Sequence, residues 1–569
     1  MPLETEGNGD ARSEKKIANH ERLVAMGDAV DRRSPKRRRA PRNRRRVWIR
    51  RSIITVGVVV VLVVGGVVAD YYYLGSLVHR IEVTTIQSSG NAGAPLNILL
   101  VGSTSRCALK VQNPAYGLCA DGVNGVNSDI DMILHLVPST GAVSLLSIPR
   151  DLFVPNARII GANKIDAALY EGPSQLISAI EEDFGIPINH YVELNFDTFA
   201  SVVNALGGVK MYFPVPIFDA ESGLNIERTG CYDLDGYRAL QVVRARHLQI
   251  QPDPSNHDPR SWPYEALSDL ARIRRTHEFL RVLASKVAAR GLSDPFTDQS
   301  IATAVLPDLT VDNGFSEGEM VHLARTFAHT QIGNVPQFTY PVTDVETGSL
   351  LYQGYYYGDV VFPVQPNGVE AVNKVFDVAP GDSSFTGQKL PTPSSIKVTV
   401  ENGTGVTNQA AVVANPLHRL GFDVVSTSDV TPDGPVSETV VWYGGSPPPA
   451  NGDWKSPQLA AAQAVLAALQ GPAILGYNPK EVTTGAEVTV QTGTGLSVSA
   501  PAAKTTTTST TPKKHSGTTT TIASSVTTTT IYVPPGMRGN GDFTPPSSVN
   551  PALEPWDPRA CNAAGNGPA

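Results

Sequence analysis

Arginines at short, regular intervals are the residues in this chain that could do chemistry. The stretch Leu234–Leu280 opens LDGYRALQVVRARHLQ and, after a polar loop, continues SDLARIRRTHEFL. Read as a strand, Gln241–His247 puts Arg244 and Arg246 two residues apart on one face. The second part carries Leu267, Leu270, Ile273, Leu280, Leu283 and Val287 at helical spacing. On that helix Arg272 falls at the edge of the apolar stripe, while Arg274 faces away from it. Three guanidiniums, Arg244, Arg246 and Arg272, can then converge near a sheet edge. A planar guanidinium fits paired phosphate oxygens, and several together fit a pyrophosphate. The plainer alternative is a solvated basic face, on which each arginine contributes little.

The elements that would position such a site alternate between strand and helix from about Ala94 to Gly291. LNILLV (Leu96–Val101) reads as a buried strand ending in the turn GSTSR. Asp129–Val137 and Ala142–Ile148 read as a hairpin pair, the second leading into PRDLFVP. Pro173–Phe184 and Asp197–Leu206 read as helices, the latter stopped by Gly207-Gly208. This alternation implies an α/β layered domain, and in open α/β sheets ligands bind outside the strand ends. GSTSR, SIPRD and RAR all lie at such ends. We take 94–376 as this domain, with a helix at Glu317–Phe327 and strand-like QFTYPV completing it. The Pro/Gly/Ser-rich stretch 377–395 reads as a linker. Residues 396–491 form a small separate α/β domain: strand IKVTV, helix Asn408–Leu420, strand FDVV, strand TVVWY, helix Gln458–Gln470 and strand EVTVQTG.

Charge and hydropathy divide the rest. Residues 1–51 hold 16 Lys/Arg against 7 Asp/Glu, and the other 518 residues carry a net charge of −16. Ser52–Ala69 follows without a charge, long enough to cross a bilayer. Arginines before it and Tyr71–Tyr73 after it suit a single transmembrane helix over 52–70 with a cytoplasmic N-terminus. A cleaved signal peptide is the rival, but no small-x-small cleavage site precedes the tyrosines. Residues 71–93 then form a short linker on the far side of the membrane. The basic leader alone could bind nucleic acid, but membrane topology already accounts for its charge. No nucleic-acid partner is expected. From 492 to 569 the chain is Thr/Pro/Ser-rich and reads as a disordered tail, bare or O-glycosylated. Four cysteines, Cys107, Cys119, Cys231 and Cys561, fall on the exported side and permit three pairings. The close pair Cys107–Cys119 is favoured as a disulfide. No HExxH or CxxC spacing suggests zinc.

Seven blocks in order, NILLVGSTSR, SDIDMILHL, SIPRD, NKIDAALYEGP, HYVELNFDTFASVVNALGGV, LDGYRALQVVRAR and DLARIRRTHEFL, resemble the LytR-CpsA-Psr family of cell-envelope glycopolymer transferases. Residues 396–491, opening VENGTG, are similar to a domain often attached to that family, and the leader and tail to its actinobacterial members. The resemblance implies a central mixed β-sheet layered with helices and an apolar tunnel for a polyprenyl chain. It implies a membrane-anchored, extracytoplasmic phosphotransferase that moves a polymer from a polyprenyl-pyrophosphate carrier onto peptidoglycan, with Mg2+ or Mn2+. Motif matching assigns the pyrophosphate to Arg150, Arg244, Arg246, Arg272 and Arg275, with Lys164 as a polar wall. Asp129 becomes metal ligand or base. Two positions depart from the family pattern: Thr104 stands where Asp is usual, and Asn127 where Arg is usual. Threonine can ligate magnesium through its hydroxyl but adds no charge. Asp131, on the same strand face as Asp129, is the candidate substitute. Two alternatives remain: a non-catalytic scaffold that binds the lipid-linked polymer, and a polyprenyl-pyrophosphate hydrolase.

Overall fold

In the computed structural model the described residues are 73, 75–90, 93–104, 107, 118–121, 125–266, 268–290, 303, 306–327, 330, 335–344, 350–429, 438–447, 449, 454, 456–501, 526–530 and 553–569. The basic leader and the membrane span expected at 52–70 lie outside them. Among the described residues no helix is long and apolar enough to cross a membrane. The chain divides into two compact units, Met1–Tyr73 and Leu74–Ala569, and the elements below belong to the second.

The first eight strands among the described residues are His79–Ile81 (β1), Leu96–Ser103 (β2), Ser128–Val137 (β3), Ala142–Ile148 (β4), Phe153–Arg158 (β5), Gly161–Lys164 (β6), His190–Leu194 (β7) and Val209–Phe213 (β8). A seven-stranded mixed sheet runs in the order β1, Thr310–Asp312, β7, β2, β3, β4, Gln337–Thr339. β3 is antiparallel to both β2 and β4, whereas β7 is parallel to β2. Because side chains alternate across a strand, both faces are apolar. Leu99, Val101, Ile133, Leu146 and Ile148 pack toward the helix Pro173–Phe184 (α1) on one side. Leu96, Ile98 and Leu136 pack with Val311 and Leu323 on the other. α1 occupies the range expected from the sequence. Proline opens it, Gly185 closes it at φ 63°, and Leu176, Ile177, Ile180 and Phe184 face the core. Each such side chain contributes about 1.5–3 kcal/mol by leaving water.

The arginine-bearing stretch departs from expectation. Gly236–Arg244 is a helix (α3) rather than a strand, following the helix Phe196–Ala205 (α2) and preceding the long helix Ser268–Arg290 (α4). The short run ALQVV, apolar but for Gln241, fits either state by period, so flanking residues decide. Asp235 caps the helix by accepting the Arg238 amide at 2.8 Å. Gly236 lets α3 close on α2, since a Cβ there would stand 2.3 Å from the Ala200 carbonyl oxygen.

Residues 396–491 fold largely as expected, but they are not a separate bead. Their sheet runs 423–429, 397–402, 488–492, 439–443, 469–477 and continues into 361–365 and 342–344 of the first domain. The expected helix Gln458–Gln470 ends at Leu466, and Leu469–Tyr477 becomes the strand that makes this join through Pro472 and Gly471. The stretch 377–395 is packed against both sides: Ser384 donates to the Gly185 carbonyl and Ser383 to Gln463, each at 2.7 Å. The disordered tail expected from 492 also needs correction. Ser497–Pro501 is a strand, and Arg559–Ala560 pairs with β8. Cys107 is bridged to Cys119 as expected, and Cys231 is bridged to Cys561.

Candidate active site

At the end of β4 the chain turns through Pro149, Arg150 and Asp151, and charged side chains from four segments meet there. Arg150 donates to Asp129 and, at 2.8 Å, to Asp166. Its Nε lies 3.8 Å from Asp151. Asp151 accepts Lys164 Nζ at 2.9 Å and Arg246 Nη2 at 2.5 Å. Asp269, in the first turn of α4, lies 3.5 Å from Arg246 Nε and 2.9 Å from Arg272 Nη2. Four cations therefore alternate with four carboxylates in one chain. Arg246, Lys164 and Arg150 are its open members, with side chains 28%, 19% and 18% exposed, whereas Arg272 is 3% exposed.

A bulge sets Asp129 apart. Ser103 pairs with Ser128 and Gly102 with Ile130, so Asp129 is the extra residue on its strand. It turns to Arg150. Asp131 does not share that role: it is buried, accepts a hydrogen bond from Ser128 Oγ at 2.7 Å, and its Oδ1 has no partner among the described residues. It lines a cavity of about 10 Å³ between β3, β4 and α4, with Ile130, Met132, Ile148, Arg272 and Ile273.

Burial and charge pull these carboxyls in opposite directions. Burial pushes Asp131 up to about 8, against the hydrogen bond from Ser128. Burial likewise raises Asp166 to about 6, against the pull of Arg150. Burial also acts on Asp151, but Arg246, Arg150 and Lys164 together outweigh it and hold that carboxyl below its usual range. Arg150 is raised: burial works against its charge, and Asp129, Asp166 and Asp151 overcome it.

Of the residues expected at the site, the fold brings together Asp129, Arg150, Lys164, Arg246 and Arg272. Arg244 ends α3 with its guanidinium carbon 4.5 Å from the Phe196 ring centroid. Because the segment is helical, it does not share a strand face with Arg246. Arg275 is no ligand for a substrate: it is fully buried, bonded to Glu265 and, at 2.6 Å, to the Ala245 carbonyl. Nor is Arg274 a free surface residue, since it holds Asp557 at 2.5 Å and Glu265 at 2.9 Å. Sequence reasoning missed Asp151, Asp166 and Asp269. Each lies within the motifs PRD, NKID and DLAR, beside or near a basic residue, and that adjacency was the available signal.

With this geometry in place, residues 76–361 match the LytR-CpsA-Psr family. The chain belongs to it. Residues 395–495 match the domain described as LytR cell envelope-related transcriptional attenuator. Among relatives, the probable cell wall biosynthesis protein LcpB of Corynebacterium glutamicum is 34% identical over 306 residues, 52% of this chain and 66% of that protein. The match thus spans just under two-thirds of that relative. A Bacillus anthracis protein named polyisoprenyl-teichoic acid–peptidoglycan teichoic acid transferase TagU is 25% identical over 283 residues, 46% of this chain and 79% of the relative. The LytR-Csp2A-Psr enzyme from Actinomyces oris matches in structure with 22% identity and a TM-score of 0.38, over 47% of this chain and 88% of that one.

The two departures from the LytR-CpsA-Psr pattern prove to be neighbours. The Thr104 amide donates to the Asn127 carbonyl at 2.9 Å, and the Asn127 amide to Thr104 Oγ1 at 3.0 Å. Asn127 Nδ2 reaches Asp166 at 3.3 Å. Two neutral residues thus face each other, and neither adds charge to the site. The expected divalent cation fits this donor set poorly. Asp129 and Asp166 are both spent on Arg150, the Asp131 carboxyl is held neutral by burial, and the Thr104 hydroxyl accepts a backbone amide. Among the described residues no three acidic, histidine or cysteine side chains gather closely enough to hold an ion.

Proposed function

We propose that this chain is a membrane-anchored, extracytoplasmic phosphotransferase that moves a glycopolymer from a polyprenyl-pyrophosphate carrier to peptidoglycan. The observation that carries this reading is the half-open alternating chain of Arg150, Arg246 and Arg272 on shared aspartates at the strand ends. The names borne by the C. glutamicum and B. anthracis relatives support it, as do the basic leader and the uncharged run Ser52–Ala69.

The cluster is self-neutralised, so an incoming pyrophosphate must exchange partners with carboxylates. Its oxygens take over Arg150 and Arg246, whose burial and orientation are already fixed by Asp151 and Asp269. Asp129, displaced from Arg150, becomes a free carboxylate beside the phosphorus. It accepts the proton of a peptidoglycan hydroxyl as that oxygen attacks the phosphorus bearing the polymer. The new O–P bond forms as the P–O bond to the carrier breaks, and polyprenyl phosphate leaves with its charge on the arginines.

Full-length protein in detergent, a lipid-pyrophosphate-linked glycan and peptidoglycan test this together. Glycan bound covalently to peptidoglycan, with release of polyprenyl phosphate, is expected. Free phosphorylated glycan would make the protein a hydrolase, and binding without turnover would make it a scaffold. Either outcome overturns the transfer.

A further inference from the structure

The last seventeen residues, 553–569, dock on the far side of α4 from the charge cluster. Asp557 is fully buried there, although the arginine it holds lies 283 residues earlier in the chain. Arg274 passes the contact on to Glu265, which also accepts Trp556 Nε1 at 2.8 Å. Glu265 in turn holds Arg275, whose Nη2 donates at 2.6 Å to the carbonyl of Ala245. Ala245 is the residue between Arg244 and Arg246. The nearly closed-off Arg274, the fully buried Arg275 and two carboxylates at most 3% exposed thus form a neutral relay from the end of the chain to the backbone beside Arg246. The segment is fastened independently by pairing of Arg559 and Ala560 with β8, by the Ala560 amide on Glu278 at 3.2 Å, and by the Cys231–Cys561 bridge.

We propose that Asp557 is a positioning residue of the arginine site, acting through Arg274, Glu265 and Arg275 on the Ala245 carbonyl, so that residues 553–569 complete the pyrophosphate site without touching it. The physical reason is that a buried ion chain has few alternative arrangements. Removing its terminal carboxylate leaves Arg274 short of one anion and draws Glu265 toward it, away from Arg275. Arg275 then loosens on Ala245, and Arg246 loses the fixed backbone from which it reaches Asp151. The proposal rests on reading Arg246 as a pyrophosphate ligand, and two readouts keep the two claims apart.

The experiment uses the full chain with Asp557→Asn, which keeps shape and removes charge, and with Trp556→Phe, which removes only the indole donor. The first readout is amide hydrogen exchange, which needs no ligand. Loss of protection at 245–248 with β2 and β3 unchanged is expected, in either variant should the other fail to fold. Unchanged exchange at 245–248 overturns the relay. The second is binding of farnesyl pyrophosphate well below the melting temperature. Asp557→Asn should weaken it roughly ten-fold in the wild-type background and far less in an Arg246→Ala background, since the two act through one contact. Equal losses in both backgrounds make the segment a structural staple only and overturn the proposal. Wild-type protein that binds no pyrophosphate overturns the functional reading, while the exchange result still decides the relay.

Discussion

Arg272 and Arg275 stand one turn apart on α4 and do opposite work. Arg272 belongs to the front chain, Asp166–Arg150–Asp151–Arg246–Asp269–Arg272, which is partly open to solvent and begins where β4 ends. Arg274 and Arg275 belong to the rear chain, Asp557–Arg274–Glu265–Arg275, whose carboxylates are closed off from water. In the front chain the guanidiniums of Arg150 and Arg246 are 18% and 28% exposed, so an anion arriving from solvent can reach them. In the rear chain nothing can enter, and each charge is tolerated only while its partner stays. Residue type and sequence neighbourhood are the same in both. What separates them is whether solvent or a second segment of chain closes the pairing.

The largest expected effect sharpens that contrast. Arg275→Ala removes the fully buried guanidinium, leaves Glu265 with only Arg274 and Trp556, and frees the Ala245 carbonyl, and a broken buried pair costs about 3–5 kcal/mol. Thermal unfolding should show a large drop in melting temperature. Arg246→Ala, at the open end of the front chain, should cost under ~1 kcal/mol in the same measurement. Similar losses from both would erase the distinction between the chains.

The next effect runs the other way and is read in binding. Arg150→Ala and Arg246→Ala each remove charge-assisted hydrogen bonds contributing roughly 1.5–3 kcal/mol to a pyrophosphate. Isothermal titration of the intact chain with farnesyl pyrophosphate should show affinity about ten- to hundred-fold weaker. Lysine at either position should recover only part, because a point charge cannot bridge two oxygens. Retention of wild-type affinity by both alanine variants would return these arginines to the solvated-face reading.

Much of the front chain was legible in the sequence, and almost none of the rear one. Alternating apolar residues gave β2, β3 and β4 directly, and Pro173 and Gly185 bracketed α1 because their backbone preferences mark helix ends locally. Arg150, Lys164, Arg246 and Arg272 followed from residue type and motif. The state of Ala239–Val243 did not, since Gly236 against Ala200 is a tertiary contact that no local period encodes. Arg274 reads as facing away from the apolar stripe because helical geometry tells which way a side chain faces, not what covers it. Its partner Asp557 is carried by a segment that also brings Trp556 to Glu265 and Cys561 to Cys231, three residues uncharacteristic of a Thr/Pro/Ser-rich tail. Their presence at its end was the one local sign that the tail returns to the fold.

The smallest expected effect tests the front chain by pH. Asp166 sits at about 6 because burial raises it, while the usual carboxyl lies near 4. The sign for stability follows: a carboxyl raised in the folded state costs stability as pH climbs from about 4 through about 6, and that cost is absent below. The sign for binding is the same. Below about 6 Asp166 is neutral, Arg150 loses one competing anion, and an incoming pyrophosphate meets one more net positive charge. Pyrophosphate itself takes up protons in this range, so the informative quantity is the ratio of affinities between wild type and Asp166→Asn. The variant should bind a few-fold tighter at pH 7.5, because Arg150 then has one competing anion fewer, a difference of about 1 kcal/mol. The ratio should shrink toward one as the pH falls to 5, where the wild-type carboxyl has itself become neutral. Asn127 donates to Asp166 and keeps the asparagine within reach of a hydrogen bond, so the variant should melt no lower than wild type at pH 7.5. A ratio that does not change with pH would mean that Asp166 stays charged throughout. Arg150 would then be held more tightly than a ligand-exchange site allows.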